Sequence, residues 1–212
     1  MSKSLLITRP QYDLVTNYLC AWSQQIVEMA QRKMIPTYDL KADKATREQF
    51  KSYTKAHNPS FIFLNGHGNA YMVTGHNNES ILDKENSIIS SILYARSCEV
   101  GQILGNDLVK MNVKAFIGYT RKFFLGYTIN KISIPLEDNL AKLFLEPSNS
   151  IAMVLLKGHT VQEAHNRSRA AMYKNFRKMV SSAASYEERF AARWLWSNLK
   201  NQVLIGNKLQ VM

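Results

Sequence analysis

The sequence predicts an α/β fold, with a mostly parallel central sheet of about six strands and helices packed on both faces. Two observations carry this. Short apolar runs at Leu5 to Thr8, Phe61 to Leu64, Ile88 to Ala95 and Val113 to Tyr119 have the character of strands covered on both sides, the third being interrupted by serines. Segments with helical periodicity alternate with these runs, which is the pattern of a parallel sheet. The 212 residues, 46% of them hydrophobic, suffice for one well-buried core. With no repeat, low-complexity stretch or linker to divide them, 1-212 reads as a single domain.

Taken in order, the first strand, Leu5 to Thr8, ends at Arg9-Pro10, where pre-proline geometry marks a boundary. Leu14, Val15, Tyr18, Leu19, Trp22, Ile26, Met29 and Ala30 then recur at three- and four-residue steps, predicting a helix from about Tyr12 to Lys33 that Pro36 stops. Tyr38 to Leu40 reads as a second strand. The stretch from Lys44 to His57 reads as a helix opened by a capping box at Thr46 and Gln49. Asn58-Pro59 turns the chain into Phe61 to Leu64, and Gly75, Asn77 and Asn78 mark a loop before the run from Ile88 to Ala95.

Gly101 to Met111 is a predicted helix and Val113 to Tyr119 a strand. Leu136 to Leu145 is periodic, Pro147-Ser148-Asn149 is expected to break it, and Ile151 to Leu156 resumes before Gly158, a C-cap. Capping boxes at Thr160/Glu163 and Ser185/Glu188 open helices running to about Val180 and Asn201. Val203 to Gly206 is the closing strand.

Composition narrows the function. No apolar run approaches the roughly 20 residues that span a bilayer. The block at Leu5 to Ile7 is too short for a signal peptide, so a cytoplasmic protein without membrane contact is expected. No HExxH, paired-cysteine or clustered-carboxylate pattern points to a metal, and no cofactor is implied. The net charge of +11 raises nucleic acid as a partner, but the excess is scattered. Its densest stretch, Arg167 to Lys178, reads as a solvated helix face, and no zinc-finger or RNA-binding signature accompanies it.

Two apolar runs end in residues able to do chemistry, at strand exits, where parallel sheets place their sites. One leads to Asn65-Gly66-His67-Gly68-Asn69, the other to Cys98, 31 positions after His67. A thiol close to an imidazole can yield its proton, and the thiolate opens an acyl group. The amide N–H groups of Gly68 and Cys98 are the candidate oxyanion donors. Cys20, beside Leu19 and Trp22, reads as core filling. His57, His76, His159 and His165 read as surface or structural histidines, since none follows an apolar run into a glycine-flanked turn.

Asn65-Gly66-His67-Gly68-Asn69, with Tyr94-Ala95-Arg96-Ser97-Cys98-Glu99-Val100-Gly101, resembles the two motifs of the caspase-like cysteine peptidases. That group includes caspases, legumain, separase, gingipains and the bacterial CHAT domains. Val113 to Tyr119, Leu155 to Ala164 and Val203 to Asn207 resemble further elements of the gingipain and CHAT branch, to which peptidase C25-like chains are similar. The resemblance implies a caspase-like three-layer sandwich and a thiol protease that cuts proteins or peptides, acting with a regulatory protein partner. No cleavable pro-segment is expected ahead of the first strand, and control is expected from a partner, a dimer contact or cleavage within a loop.

The caspase pentapeptide Gln-Ala-Cys-x-Gly is absent. Where several relatives carry an acidic pocket residue two positions before the cysteine, this chain has Arg96. If Arg96 lines that pocket, the resemblance implies cleavage after an acidic residue. The other reading is that Arg96 points elsewhere and pairs with Glu99. Tyr119, Arg121 and Phe123 are expected to form the pocket's second wall. Two further functions stay open: a catalytically silent caspase-like scaffold that binds a protein, and a basic nucleic-acid-binding module.

Overall fold

The computed structural model describes residues 3–85, 88 and 91–212. Strands β1 (Leu5–Arg9), β2 (Thr37–Lys41), β3 (Phe61–Asn65), β6 (Ile92–Arg96), β7 (Ala115–Tyr119) and β8 (Gln202–Gly206) form one sheet in the order β2-β1-β3-β6-β7-β8. Every neighbouring pair is parallel except β7 with β8. Between β3 and β6 lie β4 (Met72–Thr74) and β5 (Ser80–Asp83), an antiparallel pair. The reading from sequence had only a loop there. Its turn chemistry holds, since Asn77 and Asn78 adopt left-handed φ of 54° and 62°, but arms of three and four residues are too short to show a period. Of the expected strand from Ile88 to Ala95, Ile89 and Ser90 lie outside the described residues, and the strand itself starts at Ile92.

Alternate strand residues serve two cores. Leu5, Ile7, Phe61, Phe63, Ile92, Tyr94 and Ile117 face a layer of four helices: α1 (Leu14–Arg32), α4 (Asn139–Leu156), α5 (Val161–Met179) and α6 (Tyr186–Asn201). Leu6, Ile62, Leu64, Leu93, Ala95 and Phe116 face the other way, toward α2 (Arg47–His57), α3 (Leu104–Lys110) and the small hairpin. This is the caspase-like sandwich in outline, with a six-stranded, mostly parallel sheet between two helical layers. Among the described residues, no helix is long and apolar enough to cross a membrane.

Capping follows the sequence at two of the three expected boxes; at the third, Thr46 accepts from the Gln49 amide at 3.3 Å, but among the described residues Gln49 does not return the bond. Thr160 and Ser185 each accept from the backbone of the residue three positions on, and Glu163 and Glu188 return the bond. The third helix is shorter than predicted because the Gly101 amide is engaged by the Tyr119 carbonyl at 2.9 Å, which ties that segment to β7 instead of a helical turn.

One expectation is overturned. Pro147 does not break the helix; α4 runs through it without interruption. Proline removes the N–H that would serve the carbonyl four residues earlier, here Leu143. That carbonyl instead accepts from Asn175 Nδ2 of α5 at 2.8 Å. A neighbouring helix thus supplies the missing donor.

Asn175→Ala should lower stability by about 1 kcal/mol, the ordinary cost of stranding such a carbonyl, as read by urea denaturation. Adding Pro147→Ala, which restores a backbone N–H, should recover most of the loss; independent, additive effects would contradict this compensation.

Candidate active site

The site sits where β3 and β6 leave the sheet. Asn65 and Arg96, their last residues, are register partners. His67 and Cys98 each lie two positions beyond, so they emerge at equal offsets from adjacent strands whose axes are about 4.8 Å apart. The two exits are stitched together, because the His67 carbonyl accepts from Ser97 Oγ at 2.6 Å and from the Thr74 amide at 2.9 Å. The flanking glycines are required by this packing. A Cβ on Gly66 would stand 2.0 Å from the Thr74 carbonyl oxygen, and one on Gly68 would stand 2.3 Å from Ser97 Oγ.

His67 has a partner that the sequence reading missed. Asp13 is the N-cap of α1, and its Oδ1 accepts from the Thr16 amide and hydroxyl, each at 2.8 Å. Its other oxygen, Oδ2, lies 2.6 Å from His67 Nε2. A carboxylate can only accept, so Nε2 carries the proton and Nδ1 is the basic nitrogen. Burial raises the Asp13 carboxyl, but bonds from the Thr16 amide, His67 and the Thr16 hydroxyl outweigh it and hold the group below the usual aspartate range. The motif Asp13-x-x-Thr16 ahead of an apolar helix is a cap signal. It gives no sign that the second carboxylate oxygen serves a histidine 54 residues away.

Cys98 is half-buried, with Sγ 3.9 Å from the Phe123 carbonyl. Burial pushes its thiol up, Glu99 adds to the effect, and Lys122 opposes it. A thiol raised in this way is protonated at neutral pH and releases its proton as a new bond forms. Among the described residues, neither the Gly68 nor the Cys98 amide has a protein acceptor. Beside His67, on the side of Asp13, is a cavity of about 410 Å³ that includes Tyr12, Gly68, Thr74 and Asn78 in its walls.

Arg96 is not a pocket residue. It is 0% exposed, and all five N–H groups are bonded inside the protein. Nε donates to Asn65 Oδ1 (2.9 Å), Nη1 to Ser148 Oγ (3.0 Å) and Asn149 Oδ1 (2.8 Å), and Nη2 to the Leu19 carbonyl (3.2 Å) and Ser23 Oγ (2.6 Å). Its guanidinium lies 5.2 Å from the centre of the Phe63 ring. Arg96 thus points away from the pocket, as the second reading from sequence had it, but Glu99 is not among these partners. Burial lowers its pKa to about 10, which leaves it charged at neutral pH.

Tyr119 is likewise interior. Its hydroxyl accepts from Gln202 Nε2 at 3.1 Å and lies 3.4 Å from that of Tyr94, so it forms no substrate wall. Phe123 does come to the cysteine through its carbonyl, and the carbonyl of exposed Arg121 accepts from the Glu99 amide at 3.1 Å. Cys20 is buried in the core side of α1. His57 stacks on Tyr38 at 4.2 Å, His159 lies 3.3 Å from Glu163, and His165 lies 3.4 Å from the Gln202 carbonyl. His76 meets Tyr12 edge-on at 5.7 Å.

Fold and strand-exit site together define a caspase-like α/β architecture. No protein-family model matches the chain, nor does any curated protein. Among solved structures it is similar to the complex of the pro- and mature domains of RgpB from Porphyromonas gingivalis, with a TM-score of 0.61 and 10% identity over 99% of this chain and 48% of that one. It is also similar to a protease structure with a TM-score of 0.57 and 14% identity, again over 99% of this chain and 48% of the other. The chain spans about half the length of either neighbour, and at these identities the likeness is one of gingipain-like fold.

Two outcomes test this geometry. Because the Cys98 pKa is raised, its alkylation by iodoacetamide should keep accelerating as pH rises beyond the ordinary thiol value of about 8.5; a plateau reached near pH 6 would indicate a preformed thiolate instead. Arg96→Met should cost at least about 3 kcal/mol in chemical denaturation, since it strands several buried acceptors. An unchanged unfolding midpoint would contradict the interior role.

Proposed function

We propose that this chain is a cysteine peptidase that opens peptide bonds with His67 and Cys98. The observation that carries the reading is the placement of the two residues at equal offsets past a register-paired Asn65 and Arg96, with Asp13 fixing the imidazole proton on Nε2. In the first step Cys98 Sγ bonds to the scissile carbonyl carbon, and the thiol proton passes to His67 Nδ1. The negative charge that develops on the carbonyl oxygen is met by the unengaged amides of Gly68 and Cys98, and each such donor lowers the barrier by roughly 3 kcal/mol. The carbon–nitrogen bond then breaks, and the imidazolium returns its proton to the leaving amine. Water, deprotonated by the same nitrogen, hydrolyses the thioester and restores the thiol.

Asp13 orients the ring and stabilises its charged form during both halves of the reaction, as the third group of a catalytic constellation does. Both structural neighbours are proteases, and one is held in complex with its pro-domain. A protein partner that covers the cleft is the corresponding proposal for control here. Preference for an acidic residue is not part of the proposal, because the Arg96 guanidinium is consumed in the interior.

Purified protein should hydrolyse members of an unbiased peptide library. Cys98→Ala should abolish that turnover while Cys20→Ala leaves it intact. Equal turnover by wild type and Cys98→Ala would end the proposal.

A further inference from the structure

Across the sheet the order β3, β6, β7 places His67, then Cys98, then the segment carrying Phe123. In the reaction proposed above, the imidazole hands a proton to the departing amine. That amine, and the residue it belongs to, must therefore lie on the β3 side of the thiol. The cavity of about 410 Å³ is on that side: His67, Asp13 and Gly68 contribute to its walls and Cys98 does not. Its volume falls in the range of specific small-ligand sites, roughly 300–1,000 Å³.

The far wall is the small hairpin. It is locked to the histidine loop by Asn69 N to the Met72 carbonyl at 3.0 Å and by Thr74 N to the His67 carbonyl at 2.9 Å. On this wall Thr74 is 3% exposed, and among the described residues its Oγ1 has no partner at normal hydrogen-bond distance, the Tyr12 hydroxyl interacting with it only weakly. The Tyr12 hydroxyl itself lies a long 3.4 Å from Asn78 Oδ1. A buried hydroxyl without a partner is costly unless something binds there. Thr74 and Tyr12 each can donate and accept; no lysine or arginine stands among the residues that form the walls, and the Asp13 carboxylate there has both oxygens engaged, Oδ1 by Thr16 and Oδ2 by His67.

We propose that this cavity is the subsite for the residue immediately following the cut, and that it selects an uncharged side chain able both to donate and to accept a hydrogen bond, a hydroxyl or a carboxamide. The proposal rests on the cysteine peptidase reading and specifies its leaving-group side. Thr74 and Tyr12 are the selecting residues. The side chain bridges their two hydroxyls and satisfies Thr74 Oγ1.

The test is acyl-transfer partitioning. With one good peptide substrate held constant, threoninamide, asparaginamide, valinamide and leucinamide are added in turn, and the ratio of aminolysis to hydrolysis of the thioester is read by mass spectrometry. Threoninamide and asparaginamide should capture the acyl group roughly three- to tenfold better than valinamide and leucinamide, the effect of one or two neutral hydrogen bonds. Thr74→Val should erase that preference, and Thr74→Ser, which keeps the hydroxyl, should retain it. Equal partitioning among the four amides during normal turnover would overturn the subsite and leave the peptidase reading standing. Absence of turnover on every substrate would remove that reading and this proposal together.

Discussion

The structure is organised around a buried cation that has, among the described residues, no buried anion beside it. Taking a guanidinium out of water costs several kcal/mol even after the surroundings relax. Arg96 recovers this only because five neutral acceptors and the face of Phe63 converge on it from β3, α1 and α4. If any one element moves, a charged N–H is left without a partner in the interior. The charge therefore fixes the relative positions of three elements. Through Asn65, whose side chain donates to the Thr8 carbonyl at 2.7 Å, it engages β1 as well. His67 and Cys98 start two residues from this lattice, and Asp13 caps the helix that supplies two of its acceptors.

Pro147 belongs to the same arrangement. Ser148 and Asn149 can reach Arg96 only if α4 continues past the proline, and it continues because Asn175 serves the carbonyl that Pro147 cannot. A side chain on α5 thus supports the geometry of a strand exit on the sheet. Asp13 shows a comparable economy, with one oxygen capping α1 and the other holding His67. Its folded pKa lies below that of a free aspartate, near 3.9. The stabilisation it contributes is therefore present above that value and fades as pH falls through the lower, folded one.

Much of the frame was legible in the sequence because it rests on local signals. Strands β1, β3 and β7 announce themselves as apolar runs, and the capping boxes at Thr160 and Ser185 mark the starts of α5 and α6 to the residue. The errors arise where a distant partner decides the outcome. Pro147 reads as a breaker until Asn175 is beside it. Asp13 reads as a cap until His67 folds onto it. Arg96 reads as surface chemistry because its strand is buried on both faces, which removes the alternation that would have shown its side chain following Tyr94 toward α1 and α4. The hairpin escaped notice because its arms are too short for any period to build up.

For the proposed peptidase, the inward turn of Arg96 also bears on where selectivity on the acyl side of the cut arises. Two positions before the cysteine this chain has committed Arg96 to its interior, so the end of β6 offers no side chain to the cleft there. The next strand in the sheet is β7, and the segment leaving it is the one whose Phe123 carbonyl touches Cys98 Sγ and whose Arg121 carbonyl holds the Glu99 amide. Of the four residues the sequence marked for substrate contact, Arg121 and Phe123 are the two that keep surface exposure, whereas Arg96 and Tyr119 are sealed. In the proposed peptidase, recognition on that side falls to the segment following β7.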